Sequence, residues 1–225
     1  MTDDGNILSN SSEQLAGSVS ELAEILSTRL SGDRTVVAIA GPPGSGKSTI
    51  SDQLQKVFES QHQLTTQIVP MDGFHFDNSV LRQREWLTRK GSPPTFDIHG
   101  LDSTLARLTS SPLRSVAVPV FDRENDLSRA SAREIKIDTQ VILIEGNYLL
   151  LDIEPWSALE QYFDVTVMIS CDEAVLRKRL MKRWLDFEFT ATEAQQKVEE
   201  NDLPNAIEVT GRSRKADVIF TTVDR

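Results

Sequence analysis

The sequence predicts an α/β protein, a mainly parallel sheet with helices on both faces and so three layers in all. Three observations predict it. The octet Gly41-Pro42-Pro43-Gly44-Ser45-Gly46-Lys47-Ser48 fits G-x-x-x-x-G-K-[ST] and stands between an apolar run and a helix-forming run. Val141-Ile142-Leu143-Ile144 and Val165-Thr166-Val167-Met168-Ile169 are short apolar runs without alternation, as strands buried on both faces require. Strand-like and helix-like stretches also alternate across short turns, the pattern of parallel strands joined by crossover helices.

Taken in order, residues 1–11 are polar and are expected to be disordered. From Ser12, the residues Leu15, Val19, Leu22, Leu26 and Leu30 recur at helical spacing. They predict a helix laid on the sheet and ended by Ser31-Gly32-Asp33. Thr35-Val36-Val37-Ala38-Ile39-Ala40 predicts the strand that feeds the octet, and Thr49-Ile50-Ser51-Asp52-Gln53-Leu54 opens a helix running to about Gln61. A second strand is expected over 65–71, ending at Asp72-Gly73-Phe74-His75-Phe76. A helix is expected over 79–90, broken by Gly91-Ser92-Pro93-Pro94, and a short one near 103–108. Residues 115–120 read as a strand, followed by a polar loop over 121–131. After the two apolar runs, 174–187 sets Leu176, Leu180, Trp184 and Phe187 on one helical face, with Arg177, Lys178, Arg179, Lys182 and Arg183 elsewhere. A further helix over 192–200 is expected to stop at Pro204, and Asp217-Val218-Ile219-Phe220 to close the sheet. No repeat, low-complexity tract or linker interrupts the pattern, so residues 1–225 read as one domain.

Composition narrows the functional classes. The net charge of −10 argues against a protein that coats nucleic acid. The single cysteine, Cys171, excludes an internal disulfide and suits a reducing compartment. No apolar run reaches membrane-spanning length, and the N-terminus lacks the basic and apolar regions of a secretory signal, so the expected location is cytoplasmic.

The octet carries the chemistry. Its glycines let successive backbone N–H groups turn inward on phosphate oxygens, and the following helix adds the partial positive charge of its N-terminus. Gly41, Pro42, Pro43, Gly44, Ser45, Gly46, Lys47, Ser48 and Thr49 form the expected phosphate cradle of a P-loop NTPase fold. Lys47 is expected to reach the β- and γ-phosphates, and Ser48 to ligate Mg²⁺. In an open parallel sheet, ligands bind beyond the carboxyl ends of the strands. Asp72 and Glu145 stand at two such ends. Glu145 occupies the place of a carboxylate that holds a Mg²⁺-bound water or acts on the acceptor. Asp72 reads either as the general base that takes a hydroxyl proton or as a turn residue beside Gly73. Arg179 and Arg183, four apart, share a helical face. They read as mobile cations over a phosphoryl group or as a solvated, salt-bridged surface.

The chain resembles the P-loop small-molecule kinases grouped with uridine kinase, phosphoribulokinase and the bacterial-type pantothenate kinase. Asp72-Gly73-Phe74, Asn78, Val80-Leu81, Arg84, Lys90-Gly91, Pro93 and Phe96-Asp97 match the pantothenate kinase pattern without a gap. Glu145-Gly146 falls on the family's strand-end pair, and 179–183 resembles its lid helix. The stretch 211–219 resembles the basic segment and final strand of uridine kinase. Where pantothenate kinase has Tyr-Ser-His, this chain has Phe121-Asp122-Arg123, which is similar to short kinases often labelled as fructose-transport-associated sugar kinases. The resemblance implies ATP and Mg²⁺ as cofactors and a small helical lid over about 172–205. It implies Asp72 as base, Lys47, Glu145, Arg179 and Arg183 as further catalytic residues, and Ser48 and Glu145 on the metal. Acceptor contacts are implied from Phe74, Arg84, Phe121, Arg123 and Asn201. The implied partner is a small hydroxyl acceptor, a sugar, polyol, pantothenate-like compound or nucleoside, with neither nucleic acid nor membrane involved, and the resemblance further implies a homodimer. The competing reading is a regulatory nucleotide switch, since Asp97-Ile98-His99-Gly100 matches D-x-x-G, but no apolar strand precedes it and no N-K-x-D occurs.

Overall fold

A strand with every side chain buried, β2 (Thr35–Ala40), runs through the middle of the sheet and ends on the glycine octet. The computed structural model describes residues 14–222. The other strands are β1 (Gln14–Ala16), β3 (Thr66–Pro70), β4 (Val116–Asp122), β5 (Leu127–Ile135), β6 (Val141–Gly146), β7 (Val165–Cys171) and β8 (Val218–Thr222). Six of them form one sheet in the order β1-β8-β7-β2-β6-β3, with every neighbouring pair parallel. Because side chains alternate across a strand, Val37 and Ile39 face one apolar cluster while Val36, Ala38 and Ala40 face the other. Helices α1 (Val19–Ser27) and α2 (Lys47–Gln61) cover the first face through Leu22, Leu26, Leu54 and Phe58. Helix α4 (Ile98–Leu108), the segment 148–151 and helix α7 (Leu203–Arg212) cover the second. Each fully buried aliphatic side chain contributes roughly 1.5–3 kcal/mol. Two-sided burial is what makes these strands continuous apolar runs. The remaining helices are α3 (Asn78–Gln83), α5 (Glu173–Asp186) and α6 (Ala191–Lys197).

Several expectations are corrected. The predicted N-terminal helix from Ser12 begins at Val19, capped by the Ser18 hydroxyl, which accepts from the Glu21 N–H. Leu15 is not on its stripe but in β1, 68% exposed, because the backbone there pairs with β8 at the sheet edge. The reading of residues 1–11 lies outside the described residues. The helix over 79–90 stops at Gln83, Glu85 takes a positive φ of 59°, and Leu87–Arg89 forms a 3-10 turn. The polar loop over 121–131 is the tip and second strand of an antiparallel hairpin, β4–β5, that stands off the main sheet. β5 is exposed along most of its length and buries only Ile135, so it carries no apolar alternation. Pro204 does not end a helix. It lies in the first turn of α7, after a wide turn over Val198–Asp202 in which the Leu203 N–H reaches the Val198 carbonyl. Proline lacks only an N–H that the first turn leaves unused.

The hairpin is docked beside β3. Arg133 Nη1 donates to the Ile68 carbonyl (2.6 Å) and Gln67 Nε2 to the Glu134 carbonyl (3.0 Å). At Gly73 the approach is closest: an added Cβ would lie 2.4 Å from the Pro119 carbonyl oxygen, so only glycine admits the arm. The Ser128 hydroxyl donates to the Gly73 carbonyl from the same arm.

Candidate active site

The carboxyl ends of β2, β3 and β6 meet around the octet. Gly44 and Gly46 hold φ of 79° and 93°, values that only glycine adopts without strain. They turn the loop into the start of α2, whose N-terminal N–H groups receive no side-chain cap. That arrangement is an anion cradle. The Lys47 ammonium folds back beneath it, donating to the Pro42 carbonyl (3.0 Å). Lys47 is buried, which drives its pKa down to about 8 despite the opposing charges of Glu145 and Asp72.

Glu145 ends β6 and is also buried. Burial, with the charge of Asp72 beside it, pushes its pKa up to about 7, opposed by Lys47 and a hydrogen bond with Ser48. Asp72 lies on the 3-10 turn Met71–Phe74 after β3. Burial pushes its carboxyl up, but His75, Arg123 and Lys47 outweigh it and hold it below the usual range. Arg123 Nη2 donates to Asp72 Oδ2 at 2.9 Å. His75 donates from Nδ1 to the Asp72 carbonyl (2.8 Å), and its ring packs on Phe96 and Phe121. Burial lowers the His75 pKa, opposed by the Asp72 carboxylate and the bond to the Asp72 carbonyl.

Two cavities share this corner. One, of about 220 Å³, is walled by the octet, Lys47, Ser48, Thr49, Glu145 and Asp72. The other is a cleft of about 560 Å³ that opens from it. Asp72, Arg123, Arg183 and Asn147 line both. The cleft has two aromatic walls: His75, Phe96 and Phe121 on the sheet side, and Trp184, Phe187 and Phe189 on the helical side. Ion pairs line it, Arg123–Asp72 (2.9 Å), Lys90–Asp126 (2.9 Å) and Arg183–Asp202 (3.0 Å), while Lys197 lies over the Trp184 ring (5.7 Å). Trp184 Nε1 donates to the second Asp202 oxygen (2.6 Å).

The structure thus brings Lys47, Ser48, Thr49, Asp72, Glu145, Arg123 and Arg183 to the smaller cavity, and Phe121 and Asn201 to the cleft. Asn201 is buried and donates to the Lys90 carbonyl (2.9 Å). Gly41, Pro42 and Ser45 of the octet line neither cavity, and three predicted residues beyond the octet lie elsewhere. Arg179 sits on the outer side of the octet, with Nη1 3.3 Å from the Ser45 carbonyl oxygen. Phe74 is buried in the core. Arg84 is exposed and stacks over the rings of Phe76 and Trp86. Sequence reasoning missed His75, Lys90, Asp126 and Phe189 as cleft residues and read Trp184 and Phe187 as a packing stripe. Asn78 and Lys90 carried a signal in the family pattern, and both contact Asp126.

The oxygens on the octet cavity are hard ones, the Ser48 and Thr49 hydroxyls and the Glu145 and Asp72 carboxylates. Among the described residues no group of three His, Cys, Asp or Glu converges to cage a metal. The Ser48 hydroxyl and Glu145 carboxylate fit Mg²⁺, which takes one or two protein oxygens and otherwise keeps water and phosphate oxygens.

The Glu145 shift has a measurable sign. Its folded-state pKa is raised, so its contribution to stability is complete below the ordinary 4.5 and is lost as pH rises through about 7. Glu145→Gln carries no such penalty. In urea unfolding it should gain roughly 1–3 kcal/mol over wild type at pH 8 and nothing comparable at pH 4.5. A difference that does not change with pH would mean that burial does not set this carboxyl.

The family model of the phosphoribulokinase/uridine kinase family matches residues 36–223. The uncharacterized protein YggC of Escherichia coli is 33% identical over 187 residues, covering 83% of this chain and 77% of that protein. The pantothenate kinase of Sorangium cellulosum is 30% identical over 160 residues, 69% of this chain, and the chain spans about half (51%) of its length. Among solved structures, a candidate fructose transport system kinase from Silicibacter sp. TM1040 has a TM-score of 0.86 at 37% identity, covering 91% of this chain and 99% of that one.

Proposed function

We propose that this chain, which belongs to the phosphoribulokinase/uridine kinase family and is a small-molecule kinase, moves the γ-phosphoryl group of ATP onto a hydroxyl of a metabolite held in the aromatic cleft, with Asp72 as general base. One observation carries the reading. Asp72 lines both cavities, so a single carboxylate faces the place of a terminal phosphate and the place of an acceptor alcohol. The residues then take these roles. The octet amides and the α2 N-terminus grip the phosphates, and Lys47 neutralises their charge from below. Asp72, ionised at neutral pH, accepts the hydroxyl proton as the new O–P bond forms. Arg183 faces the shared corner from the helical side, and residues 172–205 act as the lid. Ser48 and Glu145 would hold Mg²⁺, which when bound neutralises the β- and γ-phosphate oxygens. The walls of the cleft exclude water, which keeps ATP from being hydrolysed in place of transfer. Sugars, polyols, pantothenate-like compounds and nucleosides are the acceptor classes that the aromatic faces and amide side chains of the cleft suit.

The test is MgATP turnover with a panel of those compounds. One class should raise ATP consumption well above the acceptor-free rate. If none does, the assignment of the cleft as an acceptor site fails. The competing switch reading loses its motif in the fold. Asp97 caps α4, accepting from the Gly100 N–H at 2.9 Å, so D-x-x-G here is a helix start. Clear preference for GTP over ATP would reopen it.

A further inference from the structure

Arg123 lines the phosphate cavity, the cleft, and a third opening of about 180 Å³ between α2 and the hairpin, where Ser48 and Glu145 also surface. Its backbone lies just past the end of β4, in a tip that is held from two sides. Asn78 Nδ2 donates to Asp126 Oδ2 (2.9 Å), and Lys90 Nζ donates to Asn78 Oδ1 (2.7 Å) and pairs with Asp126 Oδ1 (2.9 Å). The Asn125 N–H is bonded to Asp122 Oδ1 (3.0 Å). The root of Arg123 is therefore fixed. Its side chain is not: it is 55% exposed, and a single hydrogen bond, to Asp72, holds it. A guanidinium has five N–H donors in a planar fork, so most of this one is uncommitted among the described residues. The other arginines expected at the site are engaged. Arg183 is paired with Asp202, and Arg179 lies behind the octet against the Ser45 carbonyl.

We propose that Arg123 is a catalytic residue that changes partners during transfer, holding Asp72 before the reaction and bonding the transferring phosphoryl oxygens as it proceeds. This rests on the reading of Asp72 as the base. The acceptor oxygen forms a bond to the γ-phosphorus. The bond from phosphorus to the β–γ bridging oxygen breaks, and its electron pair leaves on ADP. The hydroxyl proton goes to Asp72. A protonated Asp72 no longer attracts the guanidinium, while negative charge spreads over the equatorial phosphoryl oxygens next to it. The charge growing on those oxygens draws Arg123 across, and the later loss of charge on Asp72 completes the exchange. A positively charged fork placed there stabilises the transition state more than the ground state, as catalysis requires.

The test needs no identified acceptor. MgADP with fluoroaluminate mimics the nucleotide and the planar phosphoryl group in flight. Titration calorimetry should show that fluoroaluminate tightens MgADP binding by wild type. Arg123→Ala should keep MgADP affinity within about twofold yet lose roughly tenfold or more of that tightening, with Arg123→Lys in between because it restores charge without the fork. Full tightening in Arg123→Ala overturns the role of Arg123 and leaves the kinase reading standing. A wild type that binds MgADP without any tightening overturns the phosphoryl-transfer reading, and the role of Arg123 with it. Since the side chain is more than half exposed, an unchanged melting temperature should confirm that the variants fold.

Discussion

Asp72→Asn should lower kcat by on the order of 10²–10⁴ while MgATP affinity stays within about twofold. Asparagine keeps the shape of the side chain and removes its ability to take a proton. The carboxylate is well placed for that task and electrostatically kept ionised, since His75, Arg123 and Lys47 together outweigh its burial. A low pKa makes a weak base, but a loose phosphoryl-transfer transition state asks little of the base until late. The loss should therefore fall on kcat with KM for the acceptor changed far less, measured with the acceptor that the panel selects. A second consequence follows from charge alone. Asp72 is one cause of the high Glu145 pKa, so its neutralisation should move the Glu145 titration down. Unchanged turnover in Asp72→Asn would remove the residue from the mechanism, whatever the titration did.

Lys47→Ala should weaken MgATP binding and slow turnover together, each by roughly tenfold to a thousandfold. It should do so without harming the fold. The ammonium is buried and its folded-state pKa is depressed to about 8, so burial penalises the charged form. Stability linked to this group is complete above the ordinary 10.5 and is lost as pH falls through about 8. At pH 7 the wild type therefore carries an unfavourable buried charge that alanine lacks, offset by the lost bond to the Pro42 carbonyl and the lost partner of Glu145. The melting temperature of the ligand-free variant should match or exceed that of wild type at pH 7. Lowered binding together with lowered stability would instead mean that Lys47 holds the loop in shape. The pairing of high functional cost with low structural cost is the pattern expected of a strained functional site.

Much of this architecture was legible in the chain because its causes are local. A buried strand needs an apolar run, and Thr35–Ala40, Val141–Gly146 and Val165–Cys171 have one. A phosphate loop needs glycine at positions of positive φ, and Gly44 and Gly46 supply it. From those elements the strand-end rule alone located Asp72 and Glu145 beside the octet. Where the cause was distant the reading failed. Leu15 obeyed helical spacing yet paired with β8, about two hundred residues away in sequence. β5 offered no alternation because its arm faces solvent. Arg84 matched the family pattern and still stacked outside the cleft.

The parallel sheet, the phosphate loop and the two carboxylates at its rim could be read from neighbouring residues, because those residues set strand burial and turn stereochemistry. What faces Asp72 follows from packing between distant elements. Arg123 comes from a hairpin 51 residues on, and the aromatics of the helical wall and Asn201 come from more than a hundred residues away. Such contacts depend on how whole elements dock, at Gly73 above all, where the lack of a Cβ lets the hairpin close on the site. No local pattern encodes that distance.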